Sequence, residues 1–154
     1  MSKKYYIAYG SNLNVTQMQS RCPGAEIAGY GTLPNWQLRF RGSGTGAYLT
    51  IEPCKGSTVP VGIWEITDLD EKYLDRYEGF PTFYYKRTIP VVLNSYQNEP
   101  QKIIEAMVYI MRENRPLGRP SGLYTQICAQ GYIDFQFDMK PLRDAVYRAR
   151  KEVV

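Results

Sequence analysis

Short apolar runs separated by polar loops dominate the chain, and most of these runs are too short for helices. The stretch 36–41 shows the pattern most clearly, because Trp36, Leu38 and Phe40 alternate with polar residues as in a half-buried strand. Other stretches are continuous apolar or β-branched runs, which are typical of buried strands. The predicted strands lie at 4–9, 27–33, 36–41, 47–53, 59–66, 84–94 and 102–111.

Helical spacing of apolar residues appears between these strands. A short helix is predicted at Val15–Arg21 with Asn14 as its N-cap, and the clearest helix is at 67–79. That helix begins at Thr67 or Asp68, and Asp68 has capping-box spacing to Glu71. Gly79 is predicted to end the helix. A single apolar stripe is predicted to pack against the core: Leu69, Tyr73, Leu74 and Tyr77.

Two further helices are predicted near the end of the chain. The segment 120–132 is expected to pack through Leu123, Ile127, Cys128 and Gly131, and the segment 138–151 is amphipathic. Many strands with a few helices indicate an α+β domain, with a small mixed β-barrel or strongly curled sheet flanked by helices. At 154 residues the chain is expected to form one domain, 1–154, with a flexible glycine-rich loop at 42–46.

Composition excludes several kinds of chemistry. The chain has no histidine, and its three cysteines, Cys22, Cys54 and Cys128, are scattered. Ser-His and Cys-His pairs are therefore excluded. A metal site built from carboxylates alone is the remaining alternative, but no clustered acidic motif supports one, so we expect no metal. The sequence has no apolar run of membrane-spanning length, and "MSKKYYIAYG" does not resemble a signal peptide, so a cytoplasmic protein without membrane contact is expected.

The net charge of +4 raises the possibility of nucleic-acid binding. The densest basic run, "YRARKE" at 147–152, alternates with Ala and Tyr and is typical of a solvated helix face. No recognition motif accompanies it. We therefore expect no nucleic-acid partner, and steep salt dependence of oligonucleotide binding would contradict this expectation.

The segment "YGSNL" follows the first predicted strand and precedes a helix. Gly10 permits positive φ, and successive backbone N–H groups leading into a helix can hold a carboxylate or an oxyanion. The alternative is a tight turn in which Ser11 and Asn12 only cap the helix. This motif alone does not decide between the two.

Glu78 in "RYEGFP" is the second candidate. A carboxylate in the last turn of a helix faces the negative end of the helix dipole, which disfavours its charged form. Burial beside Tyr77 and Phe80 would raise its pKa further and prepare it to act as a general base. The alternative is an ordinary exposed glutamate before a helix-ending glycine.

Taken together, "YGSNL", "GIWEI", "LDRYEG", "YYKRTIPV", "VYIM" and "PSGLY" resemble the γ-glutamylcyclotransferase family over residues 6–132. The resemblance implies a small β-barrel with flanking helices and a catalytic Glu78. It also implies a γ-glutamyl-binding loop of Ala8, Tyr9, Gly10, Ser11, Asn12 and Leu13, with Tyr124 as a further substrate contact. A packed helix tyrosine is the alternative for Tyr124, and Tyr109 is expected to be structural.

The family reaction converts a γ-glutamyl amino acid or γ-glutamylamine into 5-oxoproline and a free amine. The resemblance therefore implies a small-molecule γ-glutamyl substrate, no cofactor, and a monomer or homodimer. The glutathione-specific branch is disfavoured, because its loop lacks the asparagine that stands here as Asn12. The alternative from another class is a catalytically inactive binder of a γ-glutamyl-like ligand on the same fold.

Overall fold

A computed structural model describes residues 3–42 and 46–152 and has the predicted α+β architecture. The centre of the glycine-rich loop, residues 43–45, lies outside the described residues. The strands are β1 (Lys3–Ala8), β2 (Glu26–Arg41), β3 (Tyr48–Thr67), β4 (Tyr84–Leu93) and β5 (Lys102–Met111). The helices are α1 (Val15–Arg21), α2 (Asp68–Glu78), α3 (Gly122–Asp134) and α4 (Lys140–Glu152), with a 3₁₀ turn at Ser11–Leu13.

The five strands form one mixed sheet in the order β2-β3-β1-β5-β4. β1 lies at the centre, antiparallel to β3 and parallel to β5, and the other pairs are antiparallel. Its last residues are buried, as expected for a central strand. The loop that follows β1 therefore begins in the middle of the sheet.

Two long strands replace four of the predicted short ones. β2 joins the predicted strands 27–33 and 36–41, and β3 joins 47–53 and 59–66. The break expected around "LPNW" is absorbed by a register shift between Pro34 and Trp36, where Asn35 adopts φ 66°. A bulge bends a strand without ending it, which explains why the turn residues here do not mark a boundary.

The sheet curls until its two edge strands meet. Tyr30 of β2 donates its N–H to the Asn94 carbonyl (3.0 Å) and accepts the Asn94 N–H (2.8 Å) beyond the end of β4. A Cβ added at Gly31 would lie 2.7 Å from the Val92 carbonyl oxygen, so glycine allows this approach. The prediction of a strongly curled sheet is confirmed, whereas the closed barrel is wrong because one bridge is not a continuous ladder.

The predicted capping of α2 needs a correction. Thr67 is the N-cap, and its capping box involves Asp70 rather than the predicted pair Asp68 and Glu71. Asp70 is buried and also accepts the Gly24 N–H at 3.2 Å. The hydrogen bond from Gly24 explains why Asp70, rather than Glu71, completes the capping box.

The predicted packing faces of two helices are only partly right. On α2, Leu74 is buried whereas Leu69 and Tyr77 are exposed. On α3, Cys128 and Gly131 are buried, whereas Leu123 lies at the exposed start of the helix. No helix among residues 3–42 and 46–152 is long and apolar enough to cross a membrane.

Candidate active site

The "YGSNL" segment forms a compact turn between β1 and α1. Leu13 donates its N–H to the Gly10 carbonyl and Asn14 donates to the Ser11 carbonyl, both at 3.0 Å. Asn14 then caps α1 by accepting the Gln17 N–H at 3.0 Å, as predicted. Within the described residues, the N–H groups of Gly10, Ser11 and Asn12 have no recorded partner, so they remain available to an anionic ligand.

Gly10 serves a different purpose from the one predicted. Its φ is −133°, so the positive φ that glycine permits is not used here. A Cβ at this position would lie 3.2 Å from the Tyr124 hydroxyl and 3.5 Å from Leu49. A side chain here would crowd the Tyr124 hydroxyl on α3 and make ordinary contact with Leu49 on β3.

Core residues pack closely against the "YGSNL" turn. Leu13 is fully buried, and a Cβ added at Gly131 of α3 would lie 2.5 Å from the Leu13 Cβ. On the opposite side, a Cβ at Gly62 would lie 2.8 Å from Leu13 Cδ2. The indole of Trp64 donates to the Asn12 carbonyl at 3.0 Å. These contacts fix the backbone on which any ligand-binding N–H groups depend.

The Asn12 side chain links the turn to the end of α2. Its Nδ2 donates to the Tyr6 hydroxyl at 2.8 Å and lies 3.5 Å from Glu78 Oε1. Its Oδ1 accepts from the Arg21 guanidinium, which lies 3.5 Å from the centre of the Tyr77 ring. Because Arg21 can only donate, it fixes which end of the Asn12 amide faces Glu78.

Glu78 is the last residue of α2, and Gly79 ends the helix in the left-handed conformation (φ 65°). The carboxylate is partly buried, and this desolvation raises its pKa from 4.5 to about 8, although the Arg21 charge opposes the shift. Burial is therefore the principal cause of the raised pKa. A carboxyl group with a pKa near 8 can both accept and donate a proton close to neutral pH.

A cavity of about 420 Å³ connects the turn, Glu78 and α3. Seven of its lining residues are tyrosines, here called the tyrosine cluster: Tyr6, Tyr9, Tyr48, Tyr77, Tyr84, Tyr109 and Tyr124. Burial, together with the nearby Glu78 charge, raises the pKa of four of them well above 10: Tyr6, Tyr9, Tyr84 and Tyr124. These four hydroxyls therefore remain protonated and uncharged at neutral pH.

Most of the predicted site residues meet in this cavity. The lining includes Tyr9, Gly10, Ser11, Asn12, Glu78 and Tyr124. Ala8 and Leu13 do not line it, because Ala8 ends the central strand and Leu13 turns into the core against Gly131. Tyr124 lines the cavity and is also packed, since its hydroxyl accepts the Leu49 N–H at 3.1 Å.

Sequence reasoning did not single out Arg21 or three members of the tyrosine cluster: Tyr6, Tyr48 and Tyr84. Tyr6 and Tyr84 lie on separate strands, and only the sheet order brings them together. The total of 14 tyrosines was a visible signal, but it did not indicate which of them share a site. Tyr109 lines the cavity and donates to Asp75 Oδ1 at 2.5 Å, so it also joins β5 to α2.

The family model described as "Gamma-glutamyl cyclotransferase, AIG2-like" matches residues 6–126, and the chain belongs to this family. A solved structure named gamma-glutamyl cyclotransferase has 24% identity and a TM-score of 0.77, with 94% of this chain and 86% of that chain covered.

Two further solved structures share the fold. A human protein described as uncharacterized has 24% identity and a TM-score of 0.77, with 94% of this chain and 87% of that chain covered. The yeast cyclotransferase described as specific to glutathione has 13% identity and a TM-score of 0.62, with 98% and 97% covered. At these identities the likenesses support the fold alone. A comparison with curated proteins gives no match.

Proposed function

We propose that the protein is a γ-glutamylcyclotransferase that releases 5-oxoproline and a free amine from a γ-glutamyl amino acid or γ-glutamylamine. The observation that carries the proposal is the position of Glu78, a partly buried carboxyl 3.5 Å from the Asn12 amide in the cavity lined by the "YGSNL" turn. Membership of the cyclotransferase family supports the same reaction.

The reaction requires little more than orientation and proton transfer. The substrate α-amine attacks the γ-carbonyl carbon, the new C–N bond closes a five-membered lactam, and the amide bond to the leaving nitrogen breaks. Well-oriented intramolecular attack can lower the barrier by roughly 7–11 kcal/mol relative to a bimolecular reaction. A cavity that fixes the substrate rotamer therefore supplies a large part of the catalysis.

Glu78 performs both proton transfers in this proposal. In its ionised form it accepts a proton from the α-ammonium and donates that proton to the leaving nitrogen. It then passes the second proton, which the attacking nitrogen loses as the lactam forms, to the released amine. General acid–base catalysis of this kind contributes about 10²–10⁴-fold. The pKa of about 8 suits both steps, because neither direction of transfer is strongly uphill near neutral pH.

The backbone N–H groups of Gly10, Ser11 and Asn12 bind negative charge in this proposal. The substrate offers two candidates, its α-carboxylate and the oxyanion that develops on the γ-carbonyl. Loss of one oxyanion donor typically lowers kcat by about 10²–10³-fold. Support for this role comes from the turn geometry, in which these groups have no recorded partner within the described residues.

The test is direct measurement of 5-oxoproline and released amine over a panel of γ-glutamyl amino acids and γ-glutamylamines. Glu78→Gln is expected to retain ligand binding and to lose at least about 10²-fold in kcat. Glu105→Gln is the matched control, because Glu105 is an exposed glutamate outside the cavity. Binding without turnover by the wild-type protein would instead establish an inactive binder on this fold.

A further inference from the structure

The cavity is enclosed by two chemically different sides. On one side, Asn12 and Glu78 approach within 3.5 Å and form a polar side. The other side also runs from the "YGSNL" turn to the end of α2, but it is built from aromatic rings. The proton transfers proposed above do not involve these rings.

The aromatic side can be traced contact by contact. The Tyr124 hydroxyl lies 3.2 Å from the position of a Cβ at Gly10, and its ring is 5.1 Å from the Tyr48 ring in an edge-to-face arrangement. Tyr48 is in turn 6.4 Å from Phe83, again edge-to-face. The Cβ of Phe83 lies 3.2 Å from the position of a Cβ at Gly79, next to Glu78. We call Tyr48, Phe83 and Tyr124 the aromatic arc.

The arc has apolar surface available to a ligand. Tyr48 lines the cavity, yet 46% of its surface is exposed. The Arg115 guanidinium lies 4.5 Å from the centre of the Phe83 ring. Among the described lining residues, only Glu78 and Arg76 carry formal charges. An apolar group laid along the Tyr48 and Tyr124 rings would therefore remove aromatic surface from water, whereas the Phe83 ring is already in contact with the Arg115 guanidinium.

We propose that the aromatic arc is the leaving-group subsite, and that the preferred substrates carry an aromatic or large branched apolar group on the leaving amine. This inference rests on the proposed function, because it places the γ-glutamyl part on the polar side between the turn and Glu78. A cavity of about 420 Å³ lies in the range of ligand sites that enclose molecules larger than a γ-glutamyl group, so both parts of such a substrate can be accommodated.

The experiment compares γ-glutamyl-phenylalanine with γ-glutamyl-glycine, which differ only in the side chain of the leaving amino acid. We expect kcat/KM to be at least about tenfold higher for the phenylalanine compound, in line with ordinary discrimination by an apolar pocket. Tyr48→Ala should bring the ratio of the two kcat/KM values close to one, and Tyr48→Phe should preserve it. Tyr147→Ala is the matched control, because Tyr147 is an exposed tyrosine on α4 outside the cavity.

The outcomes separate this inference from the function on which it rests. Absence of 5-oxoproline from every compound would overturn the proposed function itself. Turnover of both compounds with equal kcat/KM would leave that function standing and overturn the leaving-group assignment. A preference for the phenylalanine compound that survives in Tyr48→Ala would also overturn it, because the preference would then arise elsewhere.

Discussion

Replacement of Glu78 by glutamine should stabilise the protein at alkaline pH while removing its proposed catalytic group. The side chain of glutamine has nearly the shape of a protonated glutamate, but it cannot ionise. Wild-type Glu78 must become charged in a partly buried position at the end of α2. Charging a desolvated carboxyl opposes folding, and the variant avoids that cost.

The pKa of Glu78 determines the direction in which the free energy of unfolding changes with pH and the pH range of that change. Folding raises the pKa of Glu78 from 4.5 to about 8, so the folded protein binds more protons than the unfolded chain between these values. The free energy of unfolding of the wild type therefore falls as the pH rises through this window. At about 1.4 kcal/mol per pH unit the full effect is about 5 kcal/mol. Since Glu78 faces an open cavity, water screens part of it, and we expect about 2–3 kcal/mol.

Urea unfolding of the wild type and of Glu78→Gln at pH 5 and pH 9 measures this effect. Because the glutamine side chain of the variant resembles the neutral acid, the two proteins should have similar stability at pH 5, and the variant should be more stable at pH 9. The comparison of the two proteins cancels the contributions of titrating groups that do not interact with Glu78. Equal stability at pH 9 would show that Glu78 is not desolvated and would refute the reasoning about its pKa.

The remaining predictions concern the surroundings of Glu78 and the turn. The kcat/KM profile should rise through a pH of about 8 as Glu78 ionises, and Arg21→Met should shift this rise to higher pH, because the Arg21 charge lowers the pKa. Arg87→Met, which removes an exposed positive charge outside the cavity, should leave the profile in place. In thermal unfolding, Gly131→Ala should destabilise by about 1–3 kcal/mol through overlap with the turn, whereas Gly122→Ala has open space and should be nearly neutral.

The two main site features were accessible from the sequence because each is local. A glycine-containing turn between a strand and a helix, and a glutamate in the last turn of a helix, can be recognised within a few residues. Their joint occurrence led to the family, and the chain belongs to it. The roles assigned to these residues stay predictions until the assays above are made.

What the sequence left open depends on contacts between distant segments. Thr67 and Asp70 fit a capping box as well as Asp68 and Glu71 do, and the Gly24 N–H, which Asp70 also accepts, favours the first. The order of the strands, the tyrosine cluster and the position of Leu13 depend on how distant strands pair and on how α3 packs. Local patterns do not contain this information.

The central position of β1 has a consequence for the order in which the molecule can assemble. The strand that precedes the turn pairs in parallel with β5, which comes much later in the sequence, and the Tyr9 hydroxyl donates to the Tyr109 carbonyl across a separation of 100 residues. Gly131, which packs against Leu13 of the turn, lies even later in the sequence. Contacts so distant in sequence form slowly, because a long loop must close first. The cavity can therefore be completed only after β5 and α3 have been synthesised.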